Sequence, residues 1–159
     1  MPVRFWPGAL KIMAIRNNIL ISAALVFREG RVRRSYLVVK QGEEDRWEFP
    51  KVTVRRGESS VRAVIRMIGE AGGISARVLE EVGRVNSLVV INGKSVPQRL
   101  YYYLMIQKSA GEIIGFGKFE WLDFKKAFKK LSLKREKEAL KEAERMIKQW
   151  EREGKKKKP

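Results

Sequence analysis

The sequence predicts a protein of the α/β class. Several short runs rich in β-branched and aromatic residues have the composition of strands, and three other segments place apolar residues at helical spacing. No internal repeat or flexible linker interrupts these segments. We therefore predict an N-terminal extension at residues 1–16, one domain at 17–153 that includes the C-terminal helices, and a basic tail at 154–159.

The predicted strands begin with the run ILISAALVF, which follows Asn18 and leads into a turn at Glu29-Gly30. The later predicted strands are Ser35–Lys40, Arg77–Val85, Ser87–Ile91, Val96–Lys108 and a short edge segment at 118–121. Asn92-Gly93 is a hairpin turn signal. Alternation along the strand places Tyr102 on the face opposite Tyr101 and Tyr103, and these rings are expected to fill the sheet rather than to stack on bases.

The first predicted helix follows a strand end at Trp47–Phe49, Pro50 and a basic loop at 51–57. Glu58, Ser59 and Ser60 supply an acid and polar caps at its start. Val61, Ile65 and Ile68 fall at helical spacing and predict its apolar stripe, and Gly72-Gly73 predicts its end.

Two more helices are predicted at the C-terminus. The first spans Asp123–Leu131 and has Phe124 and Phe128 one turn apart. The second is expected to be capped by Ser132 and ended by Gly154. Its apolar stripe is predicted to consist of Leu133, Leu140, Ala143 and Ile147.

Composition excludes several kinds of chemistry. The 159 residues include no cysteine and no histidine, so disulfides, thiolate nucleophiles, Ser-His triads and histidine ligation of metals are excluded. No apolar run reaches the roughly 18 residues of a membrane span, and no signal-like N-terminus is present, so we expect a cytoplasmic protein with no membrane partner. Abundant Lys, Arg and Glu with few Asn and Gln are typical of thermophile proteins. Met13 is an alternative start to Met1.

Residues 50–74 resemble the Nudix box, G-x5-E-x7-R-E-U-x-E-E-x-G-U, where U is aliphatic. The register follows from residues at matching spacing, which are Pro50, Gly57-Glu58, Arg66, Ile68, Glu70 and Gly73-Ile74. The resemblance implies a Nudix-like α/β/α sandwich with a mixed sheet, here with a basic C-terminal helix. It also implies hydrolysis of nucleoside diphosphate derivatives with Mg²⁺ or Mn²⁺ as cofactor.

The box is degenerate at three positions. Val52 stands at the glycine, and Met67 and Ala71 stand at two glutamates. In the family those glutamates hold the divalent metals, which require oxygen ligands that a thioether and a methyl group do not supply. Only Glu58, Arg66 and Glu70 remain as residual catalytic candidates, and Arg66 and Glu70 can also pair with each other at i, i+4. We therefore expect no cofactor and no metal site, with Glu70 as the one weak candidate ligand.

The formal net charge is +17. From Asp123 onward we count 15 Lys or Arg against 7 Asp or Glu, which is +8 of that excess. Such a bias favours a polyanionic partner over a merely solvated surface. The candidate RNA-binding residues are Arg31, Arg33, Arg34, Lys51, Arg55, Arg56, Lys155, Lys156, Lys157 and Lys158.

Three functional hypotheses follow. The favoured one is a Nudix-fold protein that has lost metal-dependent hydrolysis and binds RNA or a ribonucleoprotein, including the ribosome. The second is a divergent Nudix hydrolase that acts on nucleoside diphosphate-linked substrates with Mg²⁺ or Mn²⁺. The third is a module that binds a nucleotide as a regulator. Whether the chain is an enzyme is therefore left open, with the favoured hypothesis pointing against it.

Overall fold

The computed structural model describes residues 18–41, 45–109 and 115–157, with side chains described as far as Gly154. The strands are β1 (Ile19–Arg28), β2 (Ser35–Lys40), β3 (Lys51–Thr53), β4 (Ser75–Ile91), β5 (Lys94–Ser109) and β6 (Lys118–Leu122). The helices are α1 (Ser60–Gly72), α2 (Phe124–Lys130) and α3 (Lys134–Lys157). The predicted N-terminal extension and Met13 lie outside the described residues.

The strands form one mixed sheet in the order β4-β5-β1-β2-β6. β1 runs parallel to β5, and the other pairs are antiparallel. The short β3 pairs with the first half of β1, where β2 has moved away from it. The predicted strands at 77–85 and 87–91 are one continuous strand, β4, because bulges allow it to follow β5 along its length. Asn92 and Gly93 both have positive φ, as the predicted hairpin turn requires.

Apolar side chains cover both faces of the sheet. One core cluster includes Leu25, Tyr102 and Leu140 and lies beneath α2 and α3. The other includes Val26, Met105 and Ile68 and lies beneath α1. The predicted α/β/α sandwich with a mixed sheet is therefore confirmed. Within the described part of the chain, no helix is both long and apolar enough to cross a membrane.

Two glutamates of α3 are buried against the sheet. Glu136 has no exposed surface and accepts hydrogen bonds from the Tyr102 hydroxyl at 2.8 Å and the Phe49 N–H at 2.9 Å. The Lys51 ammonium lies 2.9 Å from the same carboxylate. Two turns along, the Glu144 carboxylate binds the Arg34 guanidinium at 2.6 Å and the Tyr36 hydroxyl at 3.1 Å. Each buried carboxylate thus has a tyrosine and a cation from the sheet.

Four local predictions were wrong. Residues 47–49, which were predicted to end a strand, form only an isolated bridge between Glu48 and Val39. Residues 51–53 form a strand rather than a loop, since β1 offers the backbone partners for it. Ser132 does not cap α3, because its Oγ and N–H are hydrogen-bonded to the Trp47 backbone. Gly154 does not end α3, which continues to Lys157. A glycine costs a helix only about 1 kcal/mol, and lysines stabilise a helix C-terminus through the dipole.

We predict that Tyr102→Phe lowers the free energy of unfolding by about 1–3 kcal/mol, because the buried Glu136 carboxylate loses a donor. Denaturant unfolding at neutral pH measures this change. Tyr101→Phe is the matched control, since within the described residues its ring makes contacts but its hydroxyl makes no hydrogen bond. Equal losses in both variants would contradict the importance of the Glu136 contact.

The difference in stability between the wild type and Tyr102→Phe should also depend on pH. Burial, together with the charge of Glu136, raises the pKa of Tyr102 above its ordinary value of 10.0. A group with a raised folded-state pKa contributes stability below its unfolded pKa, and this contribution is lost as the pH rises further. The stability difference between wild type and Tyr102→Phe should therefore shrink above about pH 10. A difference independent of pH would contradict this account of the hydroxyl.

Candidate functional site: the box helix and two basic clusters

The box helix α1 is fixed at both ends. Ser59 caps it by accepting a hydrogen bond from the Arg62 N–H, and Gly73 ends it in the left-handed region at φ 58°. At the first turn, the Ser60 hydroxyl bonds the Tyr103 hydroxyl of β5, and Ser22 of β1 donates to the Ser60 carbonyl. The predicted start and end of this helix are confirmed.

Glu58 and Arg66 form a clasp between the loop and α1. The Arg66 guanidinium lies 2.8 and 3.1 Å from the two Glu58 carboxylate oxygens, and the Arg55 N–H adds a third donor. The hydrogen bond from Arg66 is the main cause that holds the pKa of Glu58 below its ordinary value. Because both side chains are mostly buried, this pair fixes the loop ahead of the helix.

Glu70 stands apart from this clasp. Its side chain is 67% exposed, and its carboxylate lies 3.9 Å from the Arg66 guanidinium. The Arg66–Glu70 pair predicted from the i, i+4 spacing exists, but Glu58 is the closer partner of Arg66. Glu70 is thus the one box carboxylate that is open to solvent. No other acidic residue lies on α1 beside it.

The stripe that should carry metal ligands is part of the core. Ala63 is fully buried. Met67 is 5% exposed and belongs to the apolar cluster that includes Tyr103 and Met105. Ala71 is half-buried, and the Gly115 N–H donates to its carbonyl at 2.8 Å. A Cβ at position 115 would lie 2.3 Å from that carbonyl oxygen, so the chain passes in direct contact with the end of the helix.

The predicted stripe of Val61, Ile65 and Ile68 was only partly right. Ile68 is buried, but Val61 and Ile65 are 37% and 47% exposed. The helix turns Ala63, Val64 and Met67 toward the sheet instead, because small side chains and a flexible thioether allow close packing there. The substitutions at positions 67 and 71 therefore belong to the packing of this helix.

These residues do not fit a divalent metal. A thioether, a methyl group, an arginine-bound carboxylate and one exposed carboxylate do not make an oxygen cage. Across the described ranges, no three acidic residues come together to hold an ion. Four acids outside the box are candidate substitutes for the missing ligands: Glu80, Glu81, Glu112 and Glu120. Glu81 pairs with Arg84 at 3.0 Å and Glu120 lies 3.7 Å from Lys130, whereas Glu80 is exposed and makes no ion pair with a described residue. Glu112 lies outside the described residues.

The candidate RNA-binding residues fall into two separate clusters. Thr53, just before Arg55 and Arg56, pairs with Ile21 near the start of β1, whereas the Arg31–Arg34 turn follows the end of β1. At about 3.3 Å per residue, the two clusters are roughly 23 Å apart along the strand. We call them the loop cluster (Lys51, Arg55, Arg56) and the turn cluster (Arg31, Arg33, Arg34).

The residues of each cluster differ in how far their side chains are exposed to solvent. Arg31, Arg55 and Arg56 are exposed, and Arg33 is 69% exposed although it pairs with Asp123. Lys51 and Arg34 are not: their side chains are 14% and 13% exposed. The first is held by Glu136, and the second by Glu29, Glu144 and Glu151. These two cations anchor α3 to the sheet. The sequence shows that they are charged, but not that their charges are engaged inside the protein.

The end of α3 joins the turn cluster. Arg34 binds Glu151, so the last turns of this helix lie beside the Arg31–Arg34 turn. Lys155, Lys156 and Lys157 continue the helix beyond this contact, although their side chains lie outside the described ones, and Lys158 is outside the description altogether. The backbone therefore brings the predicted basic tail to the same end of the molecule as the turn cluster.

A groove lies beside the turn cluster and was not predicted from the sequence. Its volume is about 740 Å³, and it lies between the ends of the sheet strands and the end of α3. The residues that line it are Phe27, Glu29, Gly30, Val32, Arg33, Arg34, Arg77, Leu79, Ile106, Ile147, Trp150 and Glu151. A signal existed in the sequence, because Trp150 and Glu151 continue the buried stripe of α3 by one helical turn beyond Ile147.

No family model matches this chain. A curated protein of Mycobacterium tuberculosis, named as a mutator protein, MutT4, is 34% identical over 59 residues. These residues are 37% of this chain but 24% of that protein, so the match spans about a quarter of the curated relative.

Solved structures share the fold at low sequence identity. An Ap4A hydrolase of C. elegans, in a binary complex, is 18% identical with a TM-score of 0.67, over 81% of this chain and 97% of that chain. The NUDIX domain of Shewanella oneidensis NrtR, complexed with ADP ribose, is 15% identical with a TM-score of 0.64, over 91% and 94%. The E. coli dihydroneopterin triphosphate pyrophosphohydrolase is 11% identical with a TM-score of 0.61, over 76% and 91%.

We predict that titration calorimetry with Mg²⁺ or Mn²⁺ gives no binding tighter than the millimolar range, because Met67 and Ala71 remove two ligands from the helix stripe. Glu70→Gln, which removes the exposed carboxylate, should leave the titration unchanged. A micromolar site in the wild type that Glu70→Gln abolishes would show that the box still binds metal.

Proposed function

Because this chain has the Nudix fold, as the resemblance of its box predicted, we propose that it uses this scaffold to bind RNA or a ribonucleoprotein, with metal-dependent pyrophosphohydrolysis lost. The observation that carries the proposal is the net charge of +17, with exposed cations at both ends of β1. Neutralising phosphates releases condensed counterions, which supplies affinity for a polyanion without a built pocket.

The arrangement of the cations favours an extended partner over a small one. The loop cluster and the turn cluster are separated by roughly 23 Å along β1, at about 3.3 Å per residue. A single nucleotide cannot reach both clusters, whereas a nucleic acid has a phosphate every few ångströms along its length. The clusters together can therefore contact one folded RNA, and the ribosome is one such partner.

A nucleotide-binding regulator is the second candidate. The observation that favours it is the structural similarity to the Shewanella NrtR domain, which was solved with ADP ribose. On the α1 side of the sheet, the Arg84 guanidinium lies 4.7 Å from the centre of the Tyr101 ring and offers a cation beside an aromatic face. This hypothesis needs neither metal nor hydrolysis.

We predict that affinity for a structured RNA falls linearly with salt on a log-log plot. If about six phosphates are neutralised, the slope is near −5, from roughly −0.9 per contact on a duplex. Fluorescence anisotropy with a labelled RNA hairpin measures this slope. Arg55→Ala with Arg56→Ala should flatten it, and a chain ending at Gly154, without the four tail lysines, should flatten it independently because the two regions lie far apart.

The matched control is Lys125→Ala with Lys129→Ala. These two lysines are exposed on α2 and belong to neither cluster, and the variant loses the same charge as the Arg55 and Arg56 variant. Its slope should stay close to the wild-type value. An affinity that is insensitive to salt, or equal for RNA and heparin, would contradict RNA binding and favour the nucleotide-binding candidate.

A further inference from the structure

The groove beside the turn cluster has an apolar floor and a charged rim. Phe27 and Ile147 are buried in its floor, and Leu79 and Ile106 are half-buried there. These side chains come from three neighbouring strands and from α3, so the floor belongs to the core beneath that helix. It lies on the face of the sheet opposite the box helix, and any ligand in it is independent of the box.

One aromatic ring in the groove has no ring or cation partner among the described residues. Among the described tryptophans, Trp47 has the ammonium groups of Lys40 and Lys130 at 5.2 and 4.8 Å from its ring centre. Trp121 has the Arg28 guanidinium at 4.4 Å. Trp150, which is half-buried in the groove wall, makes no such contact with any described residue. The ring packs against the core cluster, and the part of it that stays exposed is available to a flat partner.

One arginine in the groove also has no partner in the part of the chain that the structure describes. Arg34 is held by three carboxylates, and Arg33 pairs with Asp123. Arg77 is exposed on β4 and makes no hydrogen bond or ion pair within the described residues. The two acids at the rim, Glu29 and Glu151, are both bound by Arg34. Arg77 is therefore the one arginine of the lining that pairs with no described carboxylate.

A ligand that satisfies both unpartnered groups needs a flat π system and an adjacent anion. A nucleotide has both, and proteins bind single-stranded RNA by combining aromatic stacking with cations along the backbone. The volume of about 740 Å³ is within the range of ligand sites. The helix also carries Lys155–Lys157 toward this end, which suits a strand that continues past the groove.

We propose that this groove binds one unpaired nucleotide of single-stranded RNA, with the base against Trp150 and a phosphate at Arg77. The proposal rests on the proposed RNA-binding function and adds to it a site and a preference for unpaired bases. The salt-dependent clusters supply affinity for any RNA backbone, whereas the groove distinguishes single strands from duplexes.

The test compares a labelled single-stranded 12-mer RNA, the same RNA with abasic sugars, and a duplex of equal length by fluorescence anisotropy. Trp150→Leu keeps the apolar contact but removes the π face, and Arg77→Gln removes the guanidinium at an exposed position. Each should weaken binding of the single strand by roughly tenfold, as for loss of one stacked base, and leave duplex binding unchanged. Arg99→Gln, an exposed arginine of β5, is the charge-matched control.

The abasic RNA gives a readout that a merely structural effect of the substitutions would not change. The abasic RNA should bind the wild type as weakly as the intact strand binds the Trp150→Leu variant. The affinity for the abasic RNA should be the same for the wild type and for Trp150→Leu. If both groove variants bind the intact strand like the wild type, the groove is not a nucleotide site, although RNA binding by the clusters stands. If the wild type binds none of the three RNAs, the proposed function itself is wrong.

Discussion

The docking of α3 on the sheet depends on two buried carboxylates. Glu136 and Glu144 would each be costly inside the protein, and each is compensated by a tyrosine hydroxyl and a cation. Loss of the cation from such a buried ion pair costs several kcal/mol, because the carboxylate charge stays buried. This constraint fixes the helix along one face of the sheet and withdraws Lys51 and Arg34 from solvent. It also leaves the groove at the end of the helix, where Trp150 extends beyond the last buried pair.

On the opposite face, the box helix is held by hydrogen bonds, one ion pair and apolar packing. Its first turn is tied to β1 and β5, its loop is held by the Glu58–Arg66 clasp, and Met67 fills the core where an enzyme of the family has a metal ligand. The residues of the box that shape the backbone are therefore present, whereas Met67 and Ala71 offer no oxygen atom of a side chain at two of its positions. This division keeps the fold without relying on metal ligands, as the proposed RNA-binding function requires.

Local chemistry made much of the fold predictable. The bounds of β2, the Asn92-Gly93 hairpin and the caps of α1 follow from residues adjacent in sequence. The errors involve distant partners: Lys51 meets Glu136 across 85 positions, and Ser132 meets Trp47 across the same number. The exposure of Val61 and Ile65 depended on which side of α1 faces the sheet, which helical spacing alone leaves open. The groove required the three-dimensional approach of strand ends to the end of α3.

The most direct test of a structural role for the box helix is an assay of hydrolysis. The wild type is incubated with ADP-ribose and with a dinucleoside polyphosphate, in the presence of Mg²⁺ or Mn²⁺, and product formation is followed by chromatography. If Met67 and Ala71 have replaced the metal ligands, turnover stays at background. Turnover that Glu58→Gln or Glu70→Gln abolishes would contradict this and establish the chain as a divergent Nudix hydrolase.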